Sequence, residues 1–159
     1  MKLMVWILSL QFVNGFLALL MPEPIGKLSF DFKLAPESYF FIVWPVLYLI
    51  IAVVGWMIWE MELNEQMVSI KRAFMFQMIL HSSWPFLFFY LYLIEFSFAI
   101  SLVILASVGY LMYKLWNIQR QAALLLIPYF FWLCWNSRVN YFIFAMLQGY
   151  ILRAAFGKF

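Results

Sequence analysis

Charge is the first thing this chain is short of: only 11% of its 159 residues are Asp, Glu, Lys or Arg. A soluble domain of this length cannot hide a composition that is 68% hydrophobic. Cysteine occurs once, as Cys134, which excludes an intrachain disulfide and reads as a small buried side chain. Histidine also occurs once, as His81, so a multi-histidine metal site is excluded. The CxxC, HExxH, GxSxG and phosphate-loop patterns are absent. The net charge of +3 is spread thinly, without the basic cluster that nucleic acid or a dense anionic-lipid patch would call for.

Long apolar runs are what the chain has instead. Glu95 is the only charged residue between Arg72 and Lys114. A bilayer core takes about 20 helical residues, so the stretch from Ala73 to Tyr113 must cross, turn near Glu95 and cross back. The same reasoning along the chain predicts spans at about 3–21, 39–59, 73–92, 96–113 and 122–152. The expected fold is an all-α integral membrane protein, with five transmembrane helices in a compact bundle and one domain over residues 1–159. The first apolar run has only Lys2 before it and no small-residue cleavage site after it, and it stops at Pro22-Glu23-Pro24. It reads as a retained span and not as a signal peptide. Residues 22–38 form a polar loop too long for an ordinary bundle connection and are a candidate lid. Lys2, Lys71, Arg72, Lys114 and Arg120 fall on the N-terminal side, against Lys27, Lys33, Arg153 and Lys158, a slight excess that favours the N-terminus inside. An odd number of spans and unmatched halves speak against an inverted-repeat transporter.

Polar residues within the spans carry the functional reading. His81 lies near mid-membrane in the third span, where an imidazole must find a partner. It either bonds a neighbouring helix or meets a ligand. Asn136, Ser137, Arg138 and Asn140 are the densest polar group in any span. At about 100° per residue, Trp132, Trp135, Asn136, Val139 and Ile143 share one broad face, Asn140 flanks it, and Arg138 points away as helix glue, a snorkelling cation or a ligand contact. Pro45 and Pro85 interrupt the second and third spans and either kink them or widen a cavity between them. No acid and base lie paired, so an enzyme is the weaker expectation.

Three segments resemble one family in order along the chain. Pro128-Tyr129-Phe130-Phe131-Trp132, with Trp135 and Val139-Asn140-Tyr141 after it, is similar to a PYxxW motif and its continuation. The run from Gln77 to Pro85, followed by Phe88-Phe89, is similar to a QLALNxxW[SP]PxFF motif. Val43-Trp44 with Leu47-Tyr48 resembles the PVWxxLY that opens the family's second helix. Together they resemble the translocator protein family, the tryptophan-rich sensory proteins or peripheral-type benzodiazepine receptors. The chain departs from the family in its loop, where two tryptophans and at least two prolines are missing, and in carrying His81 in place of Asn and Asn136 in place of a small residue. A sterol-type pattern, Leu147, Tyr150 and Arg153, follows late in the chain.

The resemblance implies five packed helices, commonly paired as homodimers, and no obligatory cofactor. It implies binding, transport or sensing of protoporphyrin IX, haem or a sterol. The alternatives are an enzyme that promotes light- or oxygen-dependent porphyrin breakdown, and a regulatory or structural membrane partner with a vestigial pocket. The implied pocket takes Trp44 and Tyr48 from the second helix, His81, Trp84 and Phe88 from the third, and Trp132, Trp135, Asn136 and Asn140 from the fifth. Membrane lipids and a porphyrin or sterol are the expected partners. A bacterial inner membrane and a eukaryotic mitochondrial outer membrane are both compatible.

Overall fold

A computed structural model describes residues 37–62 and 64–156, together with Val5 and Ser9. The expected first span and most of the candidate lid lie outside the described residues. Those described form four α-helices and one π-helical turn, with no strand among them. They are α1 (Glu37–Glu60), α2 (Glu65–Pro85), α3 (Ile94–Trp116) and α4 (Arg120–Phe156). Each of α1 and α3 packs against both α2 and α4, and the α3–α4 interface is the most extensive.

Three of these helices are long and apolar enough to cross a membrane, over Val43–Glu60, Ile94–Trp116 and Arg120–Gly149. Helix α2 is not among them. It begins at Glu65, eight residues before the expected start, and so takes in Glu65, Gln66, Lys71 and Arg72 as well as Gln77 and His81. The chain's charges marked an apolar boundary at Ala73, but backbone hydrogen bonding carries the helix straight through them. The local start signal is Asn64, whose backbone is extended and whose side-chain oxygen accepts from the Met67 N–H at 2.8 Å. Glu65 in the first turn complements the positive end of the helix. Asn64→Ala should lower stability by about 0.5–1 kcal/mol, read as a lower thermal midpoint in detergent. Asn64→Ser should restore it.

The helix ends as its sequence dictates. Pro85 has no N–H to give to the His81 carbonyl. The next residues, Phe86–Tyr90, wind into a π turn closed by Leu91 N–H to the Phe86 carbonyl at 3.0 Å. The chain then reverses over residues 91–93, with Tyr92 in the left-handed region at φ 55°. Such a conformation costs a non-glycine residue about 1–2 kcal/mol, and the bond from Leu93 N–H to the Leu87 carbonyl helps hold it. Helix α3 starts at Ile94, so Glu95 falls in its first turn, next to the expected reversal. Its carboxylate accepts from the Gln148 amide of α4 and does not reach Arg138. Ser97 and Ser101 are buried on α3, and their hydroxyls donate to the Leu93 and Phe98 carbonyls one turn back. Small side chains satisfied in this way let neighbouring helices approach closely.

The buried stripes follow a three–four spacing. On α2 it runs Met67, Ile70, Phe74, Gln77, His81, Trp84, and continues to Phe88 in the π turn. On α4 it runs Ala122, Leu126, Tyr129, Leu133, Asn136, Asn140. Gln77 and His81 of the first stripe meet Tyr129 of the second, and there lies the candidate site.

Candidate ligand site

Helix α1 brings Trp44 and Tyr48 to the site one turn apart, with their rings stacked at 5.6 Å. Helix α4 brings Trp132, whose ring meets Trp44 edge to face at 5.8 Å and Trp135 at 4.8 Å. The His81 ring of α2 lies 5.3 Å from Trp44 and 5.6 Å from Tyr48. Trp44, Trp132 and Trp135 are half-buried, whereas His81 and Tyr48 are buried. The structure therefore gathers five of the nine expected residues into one cluster from three helices.

Trp84 and Phe88 form a second stack farther along α2, at 5.2 Å, with Phe89 edge-on to both. Asn136 and Asn140 are buried on α4, where the Asn140 amide donates to the Asn136 carbonyl at 2.8 Å. The Trp84 indole N–H and the Asn140 side-chain oxygen are buried and make no hydrogen bond among the described residues. They are polar atoms with capacity to spare. Arg138 turns outward as the helical geometry predicts, its guanidinium 5.4 Å from the Phe142 ring centre. A cation held over an aromatic face near the edge of a bundle fits the snorkelling role.

Two residues absent from the expected set complete the site. Gln77 and Tyr129 are almost wholly buried, and the Gln77 amide donates to the Tyr129 hydroxyl at 2.7 Å. Tyr129 lies 2.9 Å from His81 Nδ1, and His81 Nε2 lies 3.3 Å from the Tyr48 hydroxyl. The direction of the chain follows from the donors available. With the Gln77 nitrogen on its oxygen, Tyr129 sends its own proton to Nδ1. A neutral ring then carries its proton on Nε2 and donates to Tyr48. The Tyr48 proton is left to point onward, and Tyr48 stacks on Trp44. Four residues from three helices thus end in one hydroxyl at an aromatic wall. Both signals were present in the sequence: Gln77 is one turn before His81, and Tyr129 one turn before Trp132.

Both imidazole nitrogens are committed, so ligating a haem iron would require breaking one of these bonds. Among the described residues no three His, Cys, Asp or Glu side chains come together as metal ligands. Cys134 is half-buried and free.

A family model described as the TspO/MBR family matches residues 4–146. No curated protein matches the chain.

Proposed function

The chain belongs to the TspO/MBR family, and on that premise we propose that it binds a flat, hydrophobic, porphyrin-like ligand inside the membrane. Family membership and the three apolar helices make it an integral membrane protein that binds or senses a ligand. The fuller architecture we infer is a bundle of five transmembrane helices.

The observation that carries the reading is the half-buried tryptophan cluster around a single presented hydroxyl. Trp44, Trp132 and Trp135 offer ring faces and edges that match a planar aromatic macrocycle. Tyr48 stands among them as a donor supplied from behind by His81, Tyr129 and Gln77. A carboxylate-bearing porphyrin has an acceptor for that donor. A sterol has a hydroxyl for it, but no flat π surface for the indoles. Protoporphyrin IX is therefore the favoured ligand, with haem next and cholesterol last.

The test is parallel titration of the chain in nanodiscs with protoporphyrin IX, haem and cholesterol, followed by tryptophan emission. We expect saturable quenching by the porphyrins at one ligand per site, and a weaker or unsaturable response to cholesterol. Unsaturable quenching by protoporphyrin, equal to that of free tryptophan, would remove the reading.

A further inference from the structure

A surface cavity lies away from the tryptophan cluster, on the outer side of α1 and α2. It is a groove of about 440 Å³, a volume within the range of small-molecule sites, about 300–1,000 Å³. Met75, Phe76 and Ile79 of α2 line it and are exposed, and Trp59, Lys71 and Arg72 lie at its other end.

Trp59 sets the level of the groove in the bilayer. It is the last residue but one of the apolar window Val43–Glu60, where a span reaches the membrane boundary and tryptophan is favoured. The Lys71 ammonium sits 5.7 Å from the Trp59 ring centre and donates to the Met61 carbonyl at 3.3 Å. Lys71 and Arg72 are thus at headgroup height. From Arg72 to Ile79 the helix descends about 10 Å at 1.5 Å per residue, which takes the apolar wall into the hydrocarbon. Cations stand at the top and hydrocarbon below.

The charges at the top fit an anion. Lys71 keeps two donors beyond the one given to Met61. Arg72 is exposed and makes no hydrogen bond or ion pair among the described residues. Its forked guanidinium matches a phosphate in two-point contact. Glu60 and Glu62 are not among the lining residues. Glu65 on α2 lies two turns back from Arg72, about 10 Å along the axis. A second copy of the chain docked on this face about a two-fold axis would bring Lys71 and Arg72 toward their own counterparts, which like-charge repulsion opposes.

We propose that this groove holds one anionic phospholipid of the surrounding bilayer, its phosphate on Arg72 and Lys71 and one acyl chain along Met75, Phe76 and Ile79. The site is independent of the porphyrin reading.

Native mass spectrometry of the full chain in mild detergent tests it, with phosphatidylglycerol and phosphatidylcholine added in equal amounts. One phosphatidylglycerol per chain should be retained in preference to phosphatidylcholine. Arg72→Gln should lower that preference by about 5-fold, and Arg72→Lys, which keeps the charge and loses the fork, should fall between Arg72→Gln and the unaltered chain. Arg72 is exposed, so circular dichroism of these variants should match the unaltered chain. Met75→Trp fills the groove and keeps both cations, and it should also shed the lipid. Equal retention of the two lipids, or a preference unchanged in Arg72→Gln, overturns the proposal. Full phosphatidylglycerol retention in Met75→Trp overturns it too, since the cations would then act only as diffuse surface charge. A dimer that Phe76→Ala disperses, with no lipid preference, would assign the face to a second copy instead.

Discussion

Trp132→Ala is expected to weaken protoporphyrin binding by about 5–150-fold, the loss of 1–3 kcal/mol that an aromatic anchor carries. Trp132 touches both Trp44 and Trp135 and so links the α1 and α4 sides of the cluster. Its removal deletes one wall and also frees the rings that remain to turn. The effect should be read from the porphyrin's own absorbance, because eight tryptophans contribute to emission and one reporter is lost in the variant. Phe131→Ala is the matched control: Phe131 is next in the chain, equally aromatic, and exposed on the outer face of α4. Affinity should drop for Trp132→Ala and stay level for Phe131→Ala. Parallel losses in both variants would mean that the porphyrin partitions onto the outside of the bundle.

Tyr129→Phe should destabilise the fold by about 1–3 kcal/mol although it removes a single oxygen. The ring remains packed, so no cavity opens. What is lost is the hydroxyl that accepts from Gln77 and donates to His81, two hydrogen bonds between buried groups. Unfolding in mixed micelles measures the loss. A double-mutant cycle identifies its cause. Once Tyr129 is Phe, the Gln77 amide has no acceptor there, so adding Gln77→Leu should cost less than Gln77→Leu alone. Strict additivity of the two changes would show that the hydrogen bond contributes nothing. His81→Asn belongs to the same series. One amide cannot span two tyrosine hydroxyls as the imidazole does, so this variant should fall between the unaltered chain and His81→Leu in stability.

Much of the architecture was legible because burial along one helix is a local, periodic property. The single charge between Arg72 and Lys114 located the reversal before α3, and Glu95 indeed falls in the first turn after it. His81, Trp84 and Phe88, which the resemblance assigns to the third helix's side of the pocket, are all buried along one stripe. The limits of α2 were less legible. Hydropathy registers Lys71 and Arg72 as an end, while the helix itself is nucleated at Asn64 by a cap that hydropathy does not see. The same polar residues place α2 outside the set of helices apolar enough to cross a membrane on composition alone. Gln77 and Tyr129 were overlooked as site residues because each alone looks like an ordinary member of a buried stripe.

Composition and hydropathy by themselves determined that this chain is helical and built for a membrane. The ordered motifs pointed to its family. Only the tertiary structure decided which polar groups meet. Tyr48, His81, Gln77 and Tyr129 come from three helices, and the bonds among them span 33, 48 and 52 residues of sequence. Whether such groups touch depends on the rotation and vertical offset of each helix against its neighbours. Those are set by side-chain packing across the whole interface, where a shift of a few ångströms would leave every stripe intact and every one of these hydrogen bonds unmade.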